Sequence, residues 1–213
     1  MKKNYIDKMK IFYERREGYL FIANGEILKS FDIKSKFYKN EFNIVNKLKH
    51  PNIIKFKDSF YRRNKFFVVM NNYPEGDMWH IIKKKKLTNK EQIEISAQLA
   101  KPIAYLHFNG YVHLDIKPEN YLSTKNQENL ILIDFEHARE FKKFDKLQKL
   151  DFKVGTPYYM APEIHNLKFG TCSDIYSLGT IFYLMVAKHL PKKDDIDWSR
   201  ISSSPLEPIM VNM

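Results

Sequence analysis

The chain predicts an α+β fold in two lobes: a small antiparallel sheet with one key helix, then a mainly helical part. Three observations carry that reading. Strand-like segments crowd the first 70 residues, a turn-rich connector "NNYPEGD" follows them, and helical periodicity dominates the rest. The lobes are set accordingly at residues 1–70 and 78–213 of one 213-residue domain, with 71–77 as the connector.

Each element has a local cause. "YLFIA", "NG" and "EILKSF" form a two-residue hairpin signal, because Asn24–Gly25 suits the positive φ angles of a type I′ turn. Phe37, Glu41, Ile44, Val45 and Leu48 then recur at helical spacing. Glu41 lies on that apolar stripe, where an unpaired carboxylate is costly, so it requires a cation, and Lys29 is the nearest candidate. "HPNIIKF" breaks the helix at Pro51, and "KFFVVM" (65–70) reads as a buried strand. Pro74 and Gly76 mark the connector. Thr88 and Glu91 make a capping box that opens a helix towards His107, with Pro102 expected to kink it. "NLILID" (129–134) is a buried strand closing on Asp134, and Asp174 to Ala187 is an apolar, buried helix.

Composition narrows the class. The 44% apolar and 15% aromatic shares argue for a packed domain rather than disorder. "IFYLMVA" is far too short to span a bilayer, and "MKKNYIDKMKIF" lacks the apolar core of a signal peptide. The single cysteine, Cys172, cannot form an internal disulfide, which points to an intracellular setting, cytoplasm or nucleus, with no membrane partner. A net charge of +11 with "KKKK" at 83–86 raises nucleic acid as a partner. Only six of the 36 basic residues are Arg, however, and the Lys run reads better as a solvated face.

The polar stretch "HLDIKPEN" (113–120) carries the chemistry. Pro118 disfavours helix at Lys117, and in an extended segment Asp115 and Lys117 share a side. Asn120 follows, and Asp134 lies 14 residues further on. A carboxylate to accept a proton, an amide and a second carboxylate for a hard cation, and a lysine for phosphate charge make up a phosphoryl-transfer set.

With these residues in order, the sequence resembles the eukaryotic protein kinases over nearly its whole length. "HLDIKPEN" resembles the catalytic loop, "DFE" (134–136) the metal-binding DFG, and "GTPYYMAPE" (155–163) the end of the activation segment. "SDIYSLG" (173–179) resembles the helix whose Asp supports that loop, and "VVMNNYPEGD" the hinge. The resemblance implies ATP and Mg²⁺ as cofactors and a protein hydroxyl, Ser or Thr, as acceptor. It implies that Asp115 orients and deprotonates the hydroxyl and that Lys117 steadies the transferred phosphate. Asn120 and Asp134 would hold Mg²⁺, and Lys29, paired with Glu41, the α- and β-phosphates. Gly18, Leu20 and Ile27 would roof the nucleotide, with Met70 as gatekeeper. The Asn71 and Tyr73 backbones would meet the adenine, Asp77 the ribose, and Leu122 would form the floor. His113, Phe135, Val45 and Phe56 resemble the apolar spine anchored by Asp174.

Departures from the pattern have their own meaning. Tyr13 and Arg15 stand where two loop glycines belong, Ile27 replaces a small alanine, and Glu136 replaces the DFG glycine. Glu136 either adds a cation ligand or repels the nucleotide. "PLEPIMVNM" places Leu206, Ile209, Met210 and Met213 at helical spacing, and the chain reads as C-terminally short, without the Arg that pairs with the APE glutamate, here Glu163. Leu114 stands where many kinases have an Arg that receives an activation-segment phosphate, and no Ser, Thr or Tyr occurs between Lys125 and Gly155. Receptor and phosphosite are absent together, which implies a kinase without that switch. Leu114, "YMAPE" and "FGTCSDIYSLG" (169–179) also resemble the Wee/Myt mitosis-inhibitory kinases, which would make a cyclin-dependent kinase the protein substrate. The alternative, from a different class, is a pseudokinase scaffold with weak or no ATP turnover.

Overall fold

The computed structural model of the chain describes residues 10–15, 18–34, 36–84, 87–125, 128–142 and 146–191, with the backbone alone for 10–15, 36–38 and 84. The Tyr13 and Arg15 side chains, Lys85, Lys86 and the stretch from Leu206 to Met213 therefore lie outside the described residues.

Five strands form the first lobe's sheet, ordered β1-β2-β3-β5-β4 with antiparallel neighbours. They are β1 (Lys10–Arg15), β2 (Gly18–Ala23), β3 (Glu26–Asp32), β4 (Phe56–Arg62) and β5 (Lys65–Asn71). Asn24 and Gly25 turn the β2–β3 hairpin with φ of 53° and 75°, the left-handed pair a type I′ turn requires. Arg63 and Asn64 turn the β4–β5 hairpin in the same left-handed region, a turn that "YRRNK" does not announce because it contains no glycine. Residues 66–70 are all buried in β5, which accounts for its unbroken apolar run.

One helix, α1 (Lys36–Lys47), packs on this sheet through Ile44 and Val45. The second lobe opens with α2 (Met78–Lys84) and α3 (Asn89–Phe108). Thr88 and Glu91 cap α3 reciprocally: the Thr88 hydroxyl accepts from the Glu91 amide, and the Glu91 carboxylate accepts from the Thr88 amide. The helix runs on through the buried Pro102. Paired short strands follow: β6 (Tyr111–Val112) with β9 (Arg139–Glu140), and β7 (Tyr121–Ser123) with β8 (Leu130–Leu132). After β10 (Gln148–Lys149) come α4 (Pro162–His165), β11 (Lys168–Phe169) and α5 (Thr171–Ala187). β10 pairs with β11, and α5 is buried on most sides, so its sequence is apolar without a clean stripe.

The lobes share one apolar core, which runs from Phe31, Ile44 and Val68 to Leu99, Leu132 and Ile181. Backbone bonds join them as well. The Ile54 amide donates to the Leu132 carbonyl at 3.0 Å, and the Leu132 amide to the Asn52 carbonyl at 2.8 Å. The Asn52 side chain adds a bond to the Leu130 carbonyl at 2.8 Å. This seam sits two residues before Asp134, so the second carboxylate is held where both lobes meet. Among the described residues, no helix is long and apolar enough to cross a membrane.

Candidate active site

The catalytic-loop residues are placed from below by Asp174 on α5, which has no exposed surface. One carboxylate oxygen accepts the His113 amide at 2.8 Å and faces His107 Nε2 at 2.9 Å, and the other accepts the Leu114 amide at 2.8 Å. Leu114 needs that support. Its φ of 68° is the left-handed region, which costs a non-glycine residue about 1–3 kcal/mol and persists only when the surroundings enforce it. The kink sends the Leu114 side chain into an apolar cluster with Phe141, Leu150 and Val154, while Asp115 emerges next to it. The His113 ring meets Phe135 edge-on at 4.8 Å, and its Nε2 faces the Ile133 carbonyl at 3.1 Å. Val45 and Phe135 share the main core, with Phe56 packed against it.

Asp115 itself is 8% exposed and fully engaged. Thr156 donates its hydroxyl to Oδ1 at 2.7 Å, Lys117 Nζ donates to Oδ2 at 2.8 Å, and Asn120 donates to Oδ2 at 3.1 Å. Lys117 also donates to the Thr156 oxygen at 2.8 Å, closing a triangle between two segments 39 residues apart. Asn120 donates to the Asp115 carbonyl at 2.7 Å, so its amide nitrogen is spent on the loop and its oxygen is the atom suited to a cation.

A second polar knot forms around Lys29 on β3. Glu41 on α1 is 2% exposed, and the cation its burial requires is Lys29, at 2.7 and 2.9 Å from its two oxygens. The same ammonium contacts Asp134 at 2.9 Å and Glu136 at 3.0 Å. Burial pushes the Glu41 carboxyl up to about 7 against the pull of Lys29, and the Asp134 and Glu136 charges push the same way. Asp134 lies two residues beyond the end of β8 with φ of 66°, a conformation Asp tolerates better than most side chains. The Asn40 amide ties α1 to the following turn, donating to the Ala138 carbonyl at 2.7 Å and the Glu136 carbonyl at 3.4 Å.

Between the two knots lies a cavity of about 690 Å³. Leu20, Ile27, Met70 and Leu122 give it apolar walls, Asn71, Tyr73 and Asp77 border it at the connector, and Lys29, Glu41, Lys117, Asn120 and Asp134 form its polar end. Such a chamber, apolar with polar groups at one end, suits a planar aromatic ligand carrying charge. Asp77 bonds His80 Nδ1 at 2.7 Å. Asn120 and Asp134 offer hard oxygen donors that fit Mg²⁺, and Glu41, Asp134 and Glu136 bring carboxylate oxygens within 4.8 Å of one another.

Gly18 stands apart from the cavity lining. A Cβ there would come within 1.9 Å of the Ser30 carbonyl oxygen, so its glycine is explained by the approach of β2 to β3. Glu163, expected to lack its usual Arg, accepts the Ser173 hydroxyl at 2.6 Å and lies 3.2 Å from the Cys172 sulfur, both on the first turn of α5. Sequence reasoning did not single out Thr156 as a partner of Asp115 or Asn40 as a tether. The "GTP" stretch is the one signal for Thr156, and nothing in the sequence marks Asn40.

A buried Lys–Glu pair on the sheet lobe, a supported loop carboxylate and a cavity between two lobes define a protein kinase fold. The protein kinase domain family matches residues 20–208, and this chain belongs to that family. It is 35% identical over 189 residues to myosin light chain kinase 3 of Rattus norvegicus, covering 86% of this chain and 23% of that protein. It is 37% identical over 199 residues to calcium-dependent protein kinase 6 of Plasmodium berghei, covering 88% of this chain and 13% of that one. The chain thus spans less than a quarter of the length of either relative.

Proposed function

We propose that the protein transfers the γ-phosphate of ATP to a Ser or Thr hydroxyl of a protein substrate. The carrying observation is the Asp115–Lys117–Thr156 triangle, with Asn120 bonded to the same carboxylate. Asp115 accepts the hydroxyl proton while its neighbours hold its orientation. Lys117 places a positive charge beside the transferring phosphoryl, and Lys29 would meet the non-transferred phosphates. Asn120 and Asp134 would hold Mg²⁺, which supplies charge neutralisation along the phosphate chain.

The finer resemblance to the Wee/Myt kinases stands on Leu114 and residues 169–179. The relatives matched at 35–37% identity carry other names, and Thr156 bridges Asp115 and Lys117 in a Ser/Thr-type arrangement. A general Ser/Thr protein substrate is therefore placed ahead of a cyclin-dependent kinase. One observation favours the scaffold reading: Lys29 is already surrounded by carboxylates. Phosphate transfer to Ser/Thr peptide libraries, with Asp115→Asn alongside, tests the proposal. Loss of a proton acceptor predicts a fall of about 10²–10⁴-fold with the thermal midpoint retained. Transfer that survives the substitution unchanged rules out the assigned mechanism.

A further inference from the structure

We propose that Glu136 is a positioning residue that competes with nucleotide phosphate for Lys29, making nucleotide binding conditional on a divalent cation. The inference rests on the kinase reading and deepens it. An ammonium has three N–H groups, and around Lys29 stand Glu41 at 2.7 Å, Asp134 at 2.9 Å and Glu136 at 3.0 Å. The donors directed to phosphate in the kinase reading are thus engaged by the protein itself. Lys29 is held inside the core, 4% exposed, and cannot swing out to meet a ligand. Phosphate must reach it where it stands.

The three carboxylates differ in what they can yield. Glu41 is buried and takes Lys29 with both oxygens. Asp134 is fixed by the seam at β8 and by its own left-handed backbone. Glu136 sits in the turn Phe135–His137 with Oε1 3.0 Å from Lys29, on a side chain one methylene longer than that of Asp134 and so able to swing aside while its backbone stays put. It is the partner with the reach to move aside for a phosphate, since Asp134 is needed for the cation and Glu41 is buried. Its backbone stays anchored, because Asn40 holds the Glu136 and Ala138 carbonyls.

Charge sets the condition. One ammonium set among three carboxylates leaves the cluster around Lys29 net negative, and a nucleotide phosphate adds further negative charge. A divalent cation between phosphates and carboxylates reverses the balance. Glycine at 136 would leave Lys29 with two carboxylates and an open approach for phosphate.

Equilibrium binding of ADP and adenosine, each in EDTA and in excess Mg²⁺, decides the matter for wild type, Glu136→Gln and Glu136→Gly. Removing one charge this close to the phosphates predicts a gain in metal-free ADP affinity of about tenfold or more. The gain in Mg²⁺ is expected to be several-fold smaller, and adenosine, which lacks phosphate, should bind all three proteins alike. Glu136→Gln keeps the shape of the side chain, so a fold defect confined to the glycine variant leaves the result readable. ADP affinity unchanged in both variants overturns the competition while the kinase reading stands. Weaker ADP binding in both overturns it too, and marks Glu136 as a support. Failure of every protein to bind ADP or adenosine under any condition defeats this inference and the kinase reading together. A gain shared equally by adenosine shows a general loosening of the cavity and rejects the phosphate-specific account.

Discussion

The two polar knots flanking the cavity are built on opposite principles. Around Asp115, one carboxylate is served by three donors, Lys117, Asn120 and Thr156. Around Lys29, one donor group serves three carboxylates. The first arrangement satisfies its charge and leaves a base oriented for use. The second is over-supplied with negative charge and buried, the situation that raises a carboxyl's proton affinity. Residues of the first knot match the kinase pattern, and the surplus in the second comes from Glu136, a departure from it. The difference teaches that the departure at Glu136 bears on the nucleotide end of the cavity, while Asp115, Lys117 and Asn120 keep the family pattern.

The largest test of the contrast is Lys29→Met. It strips the cation from a site where Glu41 is 2% exposed. Breaking a buried pair from one side predicts a loss of about 3–5 kcal/mol, read by urea titration at pH 7.5. A loss below about 1 kcal/mol would show that Glu41 is held neutral in the native state and that the second knot is not an ionic one.

A smaller effect is expected at the roof. Ile27→Ala restores the small side chain of the family pattern, and Ile27 lines the cavity. Relief of about 1–3 kcal/mol of overpacking predicts about tenfold to a hundredfold tighter adenosine binding. Unchanged affinity would mean that the roof already accepts the base, and that the divergence is confined to the phosphate end.

On the other side of the cavity, Thr156→Val removes a hydroxyl that both accepts from Lys117 and donates to Asp115. A fall of about tenfold in kcat with little change in KM for ATP is expected, since one hydrogen bond to a charged group is lost away from the nucleotide. A rise in KM for ATP of the same size would break the separation of the two knots.

Much of this was readable in the sequence, for identifiable reasons. The β2–β3 hairpin follows from Asn24–Gly25, and the start of α3 from the Thr88–Glu91 box, because both signals are local. The partner of Glu41 followed from its place on the apolar stripe and the nearness of Lys29 in sequence. The β4–β5 turn did not show, since Arg63 and Asn64 are held left-handed by the strands they join. The role of Glu136 could not be read either: local spacing says where a carboxylate sits along the chain, not which oxygens β3 and α1 bring to it. Leu114 reads differently in three dimensions. Its absent charge is matched by burial with Leu150 and Val154, so apolar packing is a source of order for that segment.

The last expected effect is a slope in pH, read per unit rather than as a single loss. The Glu41 carboxyl titrates near 7 in the native chain against an ordinary value of 4.5. Between those values the native state keeps a proton that the unfolded chain has released. This contribution is fully present below 4.5 and is lost as pH rises through 7, with a slope of at most about 1.4 kcal/mol per unit. His113 works in the other direction, since burial lowers its pKa below the ordinary 6.5, so its contribution falls away as pH drops below that value. The two are separated by difference: in Glu41→Gln the decline in unfolding free energy between pH 5 and 7 should flatten relative to wild type, while the His113 trend stays in both. Parallel pH profiles for the two proteins would place Glu41 in its charged form throughout, with Lys29 outweighing both burial and the surplus carboxylates.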